Sequence, residues 1–84
     1  MVENLFKMQH YLEMKHKNLK KLGNNIKLRR KALKLSQENL AELINKSRNY
    51  IGMVERAEVN ISINSLFEIA DALKTEAVEF FKFD

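Results

Sequence analysis

Proline is absent from the chain and glycine occurs only at Gly23 and Gly52, so the turns have to be made by Asn, Ser, Lys and Ala. Nothing in such a sequence stops helices by force. Apolar residues recur at helical spacing and no stretch alternates as a strand would, so the expectation is all-α, a compact bundle of about five short helices joined by short connections. A chain of 84 residues is one small domain, near the size at which a hydrophobic core becomes marginal.

The first segment, residues 1–21, reads as an amphipathic helical extension. Leu5, Met8, Leu12, Leu19 and Leu22 fall on a heptad-like seam that Lys15 interrupts, able either to pack on the domain or to zip to another copy. Gly23-Asn24-Asn25 then offers a C-cap glycine and a capping Asn, which predicts a break or bend there. The second unit, residues 22–84, continues through Ile26, Leu28 and Leu33 to Lys34. Ser36 caps a helix from Gln37 to Ile44, Ser47 one reaching about Arg56, and Ser62 one carrying Leu66, Ile69, Ala70 and Leu73. A last turn presents Val78, Phe80 and Phe81.

Between Gln37 and Arg56 the spacing becomes specific. Leu40 and Ala41 face a second short helix, Ala41 being small where the two must cross closely, and Asn45 can hold the left-handed conformation of a sharp turn. At 100° per residue from Arg48, Gly52 lies at about 40°, Arg56 at about 80°, Asn49 at about 100° and Met53 at about 140°. Val54 and Ile51 fall at about 240° and 300°, on the opposite side. One face therefore anchors in a core. The other offers two guanidiniums, a carboxamide, a bare glycine and a thioether, an inventory suited to a major groove: Arg pairs with guanine, Asn with adenine, and an apolar side chain rests on a thymine methyl.

The sequence resembles the Cro/Xre-type helix-turn-helix DNA-binding proteins over roughly residues 22–81. The resemblance rests on Ile26-Lys27 and Arg30, on Leu35-Ser36-Gln37-x-x-Leu40-Ala41, on Ser47-Arg48-x-Tyr50-Ile51-x-x-Val54-Glu55-Arg56, and on Leu66-x-x-Ile69-Ala70-x-Ala72-Leu73. It implies a lambda-repressor-like fold with an extra N-terminal helix. Arg48, Asn49, Gly52 and Met53 would take the base-facing slots; Lys46, Ser47, Tyr50 and Arg56 would meet the DNA backbone. Gln37 would touch phosphate or brace a base-contacting side chain, and Arg30 would pair with Glu55. The sequence departs from the pattern at Asn45 and Ala57, where glycine is usual, and at Arg29, where an apolar residue is common. Isoleucine in the loop Val59–Ile63, where many relatives have proline, is similar to the controller proteins of restriction-modification systems.

Charge agrees with a polyanionic partner. The net charge is +4, with eight Lys and Arg against three Glu in residues 23–56 and only two Lys against six acids in residues 57–84. A solvated basic surface would look the same by charge alone, so the helix spacing decides. Lys27, Lys31, Lys34 and Lys46 add salt-dependent attraction without reading sequence.

Other functions find little support. Cysteine is absent, which removes disulfides and thiolate metal sites and is compatible with a reducing compartment. His10 and His16 sit about 240° apart on a helix and cannot chelate one ion from one face. No Ser/His/Asp set, phosphate loop or carboxylate pair is visible, so neither an enzyme nor a cofactor is expected. The longest uncharged run, Val59–Phe67, is half a membrane span, and a bacterial or phage protein working on the nucleoid in the cytoplasm is expected. The expectation is a regulator, most simply a repressor, that binds a palindromic operator in double-stranded DNA as a homodimer through Val78, Phe80, Phe81 and Phe83. The alternative from another class is a protein-interaction module such as an antitoxin, holding a protein partner through the N-terminal helix or the C-terminal phenylalanines, with DNA binding secondary.

Overall fold

The structure, a computed structural model, describes residues 2–83. Four α-helices follow in order: α1 (Val2–Ala32), α2 (Gln37–Leu43), α3 (Arg48–Glu55) and α4 (Ile63–Ala72), closed by a 3₁₀ turn, Ala77–Phe81. There is no strand among the described residues. Three helix starts are fixed locally: the Ser36, Ser47 and Ser62 hydroxyls accept from the backbone N–H of Asn39, Tyr50 and Ser65. Asn39 returns the bond to the Ser36 N–H, a complete capping box.

The helix ends share one device. Lys34, Asn45, Ala57 and Lys74 all have positive φ, between 56° and 60°. Each lets the following N–H reach back five residues, as Leu35 does to Arg30, Lys46 to Ala41, Glu58 to Met53 and Thr75 to Ala70. These are Schellman ends built without glycine.

The expected break at Gly23 does not occur. α1 runs through it for 31 residues, so two of the anticipated short helices are one rod. Glycine is there for proximity: a methyl group on Gly23 would lie 2.6 Å from the carbonyl oxygens of both Val54 and Glu55, where the end of α3 crosses α1. Nor does Asn25 cap a helix. Its Nδ2 donates to the carbonyls of Phe80 and Lys82, at 2.9 and 3.2 Å, fastening the C-terminal turn to α1.

The core lies where α1 from Leu22 onward meets α3 and the 3₁₀ turn, with α2 packed on α3 and α4 closing against α2 and the turn; Ile26, Leu40, Ile51, Ile69 and Leu73 are wholly buried. Phe80 joins them at 2 % exposure, which removes it from the candidate dimer surface: the small domain does have room for one of its three terminal phenylalanines. Phe81 is half exposed and Val78 exposed, and Phe83 packs partly against the core. Before Leu19 the heptad seam touches little; Leu5, Met8 and Leu12 face solvent, as do Tyr11 and Met14.

Candidate nucleic-acid interface

α2 and α3 are held to the bundle by their apolar sides. Leu40 and Ala41 of α2 and Ile51 and Val54 of α3 are buried, the two positions on α3 that the helical arc assigns to the core. Arg48 and Asn49, in the first turn of α3, are exposed. Met53 and Tyr50 are half-buried, Tyr50 against the core, and the Lys46 ammonium lies 5.8 Å from the Tyr50 ring centre. Ser47 is exposed but commits its hydroxyl to the cap.

Gln37, Arg48, Asn49, Gly52 and Arg56 come together around one shallow depression of about 200 Å³. Met53, Lys46, Ser47 and Tyr50 lie outside it. The depression is polar, open and bordered by two guanidiniums, so it suits a hydrogen-bonding anion or base edge more than an apolar ligand.

Behind this face stands a buried polar network. Arg30 Nε and Nη2 donate to the two Glu55 carboxylate oxygens at 2.7 and 3.0 Å, with the side chains 8 % and 2 % exposed. Arg30 Nη1 also donates to the Leu35 carbonyl at 2.8 Å, and Gln37 Nε2 to Glu55 Oε1 at 3.0 Å. The network thus joins α1, the α1–α2 connection, the start of α2 and the end of α3. Among the described residues no buried side-chain polar atom lacks a partner. Such a fully bonded pair fixes orientation; its net stabilisation is small because desolvation offsets the attraction.

Three side chains acquire roles that sequence spacing did not assign. Arg29, the departure from the apolar pattern, donates through Nε to the Leu73 carbonyl and through Nη2 to that of Lys74, both at 3.0 Å, at the negative end of the α4 dipole. Gln37 braces Glu55 directly. Glu58 accepts from Arg56 Nε and Nη2 at 3.0 and 3.1 Å, and these bonds hold the Glu58 carboxyl below its ordinary pKa and the Arg56 guanidinium above its own. A glutamate two residues after an arginine at a helix end was the available signal.

A pair of short helices crossing through a tight left-handed turn, the second with a buried side and a polar, cationic outer side, defines a helix-turn-helix unit. The sequence profile described as "Helix-turn-helix" matches residues 26–80, and the chain belongs to that family. Among characterised proteins it is 44 % identical over 54 residues to the control protein C.SmaI of Serratia marcescens, a match covering 64 % of either chain. Among solved structures it resembles the restriction-modification controller protein C.AhdI of Aeromonas hydrophila, with 41 % identity and a TM-score of 0.73 over 75 % of this chain and 96 % of that one. It also resembles the P22 c2 repressor, solved in complex with a synthetic operator, with 30 % identity and a TM-score of 0.68 over 75 % and 96 % of the two chains. The fold is therefore that of the repressor-like helix-turn-helix proteins.

Proposed function

We propose that this chain is a sequence-specific regulator of transcription that binds double-stranded DNA as a homodimer at a palindromic operator, with α3 in the major groove. One observation carries the reading: α3 buries Ile51 and Val54 while leaving Arg48 and Asn49 exposed at its N-terminal turn, the part of a recognition helix that meets base edges. Arg48, Asn49 and Met53 would read bases; Gly52, expected beside them as a bare contact, is buried beneath the Arg56 side chain and would serve that face only as its floor. Gln37, Lys46, Ser47, Tyr50 and Arg56 would serve the backbone. It acts as a regulator and not as an enzyme, and likeness to two controller proteins favours a restriction-modification setting. That work belongs to the nucleoid. Exposed Val78 and Phe81, with part of Phe83, support pairing of two copies, which would set the two α3 helices ~34 Å apart on successive grooves.

Residues 1–21 are read as an extension to the helix-turn-helix unit of residues 22–84. Its exposed Leu5, Met8 and Leu12 favour a second role, a surface for a protein partner.

Selection from random duplexes, followed by mobility shifts at several salt concentrations, tests the proposal. A palindromic consensus and an affinity falling steeply with salt are expected. Weak, sequence-blind binding would overturn it in favour of the interaction module. Within that assay Arg48→Ala should change preference at one base pair by ~1–3 kcal/mol, whereas Lys46→Ala should weaken all sequences alike.

A further inference from the structure

A glycine inside a recognition helix costs about 1 kcal/mol relative to alanine, and the sequence offers two explanations for Gly52: close approach of DNA, or indifference. The structure supplies a third. A methyl group on Gly52 would lie 2.8 Å from Nη1 of Arg56 and 3.5 Å from its central guanidinium carbon. The Arg56 side chain therefore does not trail off the end of α3. It turns back one helical turn, in the direction that helical side chains lean, and covers Gly52 with Nη1 nearest.

What keeps it there is Glu58. The two carboxylate oxygens take Nε and Nη2 in a bidentate pair whose planar geometry fixes the direction of the whole guanidinium. Of its five N–H donors, two are used and three remain, two of them on Nη1. Arg56 lines the same depression as Arg48, Asn49 and Gly52, and Nη1 is its atom nearest Gly52. Both members of the pair stay about half exposed, 54 % and 51 %, so the arrangement faces outward and is not part of the core.

We propose that Glu58 is a positioning residue for DNA reading: it holds Arg56 across Gly52 so that the free Nη1 edge joins Arg48 and Asn49 on the base-facing surface. This rests on the reading of α3 as the helix that enters the groove, and it moves Arg56 from the backbone contacts to the base contacts. The proposal also accounts for an acid beside a face meant for a polyanion. Alone, Glu58 would repel nearby phosphates and weaken binding to every sequence; as a brace it exchanges some general affinity for a fixed donor edge. Gly52 supplies the floor, since any side chain there would lift the guanidinium away.

Random-duplex selection on the full chain, compared for the wild type, Glu58→Gln, Arg56→Ala and the double variant at one salt concentration, tests this. Glu58→Gln should relax preference at the same base pair as Arg56→Ala, by about tenfold, while binding non-specific DNA more tightly because a negative charge is gone. The double variant should relax preference no further than Arg56→Ala alone. Gly52→Ala, which displaces the same guanidinium, should alter preference at that position too. Thermal melts of each variant establish that the fold is intact. If Glu58→Gln changes affinity for all sequences by one common factor and leaves the consensus untouched, the positioning role is wrong while the regulator reading stands. If the wild type itself enriches no sequence, both fall together.

Discussion

The chain's two glycines make a controlled experiment, because Gly→Ala should have opposite signs at the two positions. Each lies inside a helix, where alanine is favoured by about 1 kcal/mol. At Gly52 the obstacle is the far end of the Arg56 side chain, which can swing aside, so most of that gain should survive: about 0.5–1 kcal/mol of added stability. At Gly23 the obstacles are two backbone carbonyl oxygens at 2.6 Å, more than half an ångström inside ordinary contact. They belong to the last turn of α3 and cannot rotate away, so α1 and α3 must separate. Overpacking of this kind costs about 1–3 kcal/mol, and a gap of that size forfeits a quarter or more of the dispersion energy of the atoms along it. After the helix-propensity gain is credited, Gly23→Ala should lose about 1–2 kcal/mol. For a domain of this size each kcal/mol shifts Tm by about 4–8 °C. Thermal and urea unfolding followed by circular dichroism should therefore move up by several degrees for Gly52→Ala and down by about 5–15 °C for Gly23→Ala. Equal stabilisation by both substitutions would refute the close crossing of α1 and α3.

Further outcomes follow from the same geometry. Alanine at Arg30 or at Glu55 strands its partner in a buried site and should destabilise by about 3–5 kcal/mol in urea titrations, more than loss of the exposed Arg56–Glu58 pair could. Ala57→Gly relieves a side chain held at φ 60° and should stabilise by about 0.5–1 kcal/mol, visible as a higher denaturation midpoint. The Glu58 carboxyl should titrate below the ordinary value of about 4.3 in carbon-detected NMR, and return to it in Arg56→Ala. Because the folded-state pKa is depressed, the Arg56–Glu58 pair is fully formed above the ordinary carboxylate pKa and is lost as pH falls through the lowered one. The salt dependence of DNA binding should accordingly change only in acid.

Features determined by neighbouring residues could be read from the sequence. Ser36, Ser47 and Ser62 each cap a helix through a bond three residues long, and Asn45 adopts the left-handed turn that its side chain tolerates. The inward side of α3, Ile51 and Val54, followed from helical geometry, as did the exposed Arg48 and Asn49, but Gly52, which the same arc puts outside, is buried because the Arg56 side chain folds back over it. Gly23 is ambiguous in sequence, because a glycine ending a helix and one admitting another backbone look identical until the second backbone is known. Phe80, Phe81 and Phe83 could not be separated either: a 3₁₀ turn of five residues is too short for a period to show which ring turns inward. Arg29 and Asn25 bond carbonyls 44 to 57 residues away, and no local pattern announces such partners. Arg56 is exposed, as its place on the arc implies, but its guanidinium is bonded to Glu58, beyond the helix that the geometry describes.

The unbroken course of α1 has a mechanical meaning. Had the rod hinged at Gly23, its first half would not have shared one helix axis with the part that crosses α3. Instead a single shaft, accounting for most of the molecule's 48 Å length, runs from the outlying Leu5 to the crossing with α3 and on to the anchor at Arg30. Whatever binds near its outer end would therefore be joined by one continuous helix to the crossing with α3, the helix proposed to enter the groove.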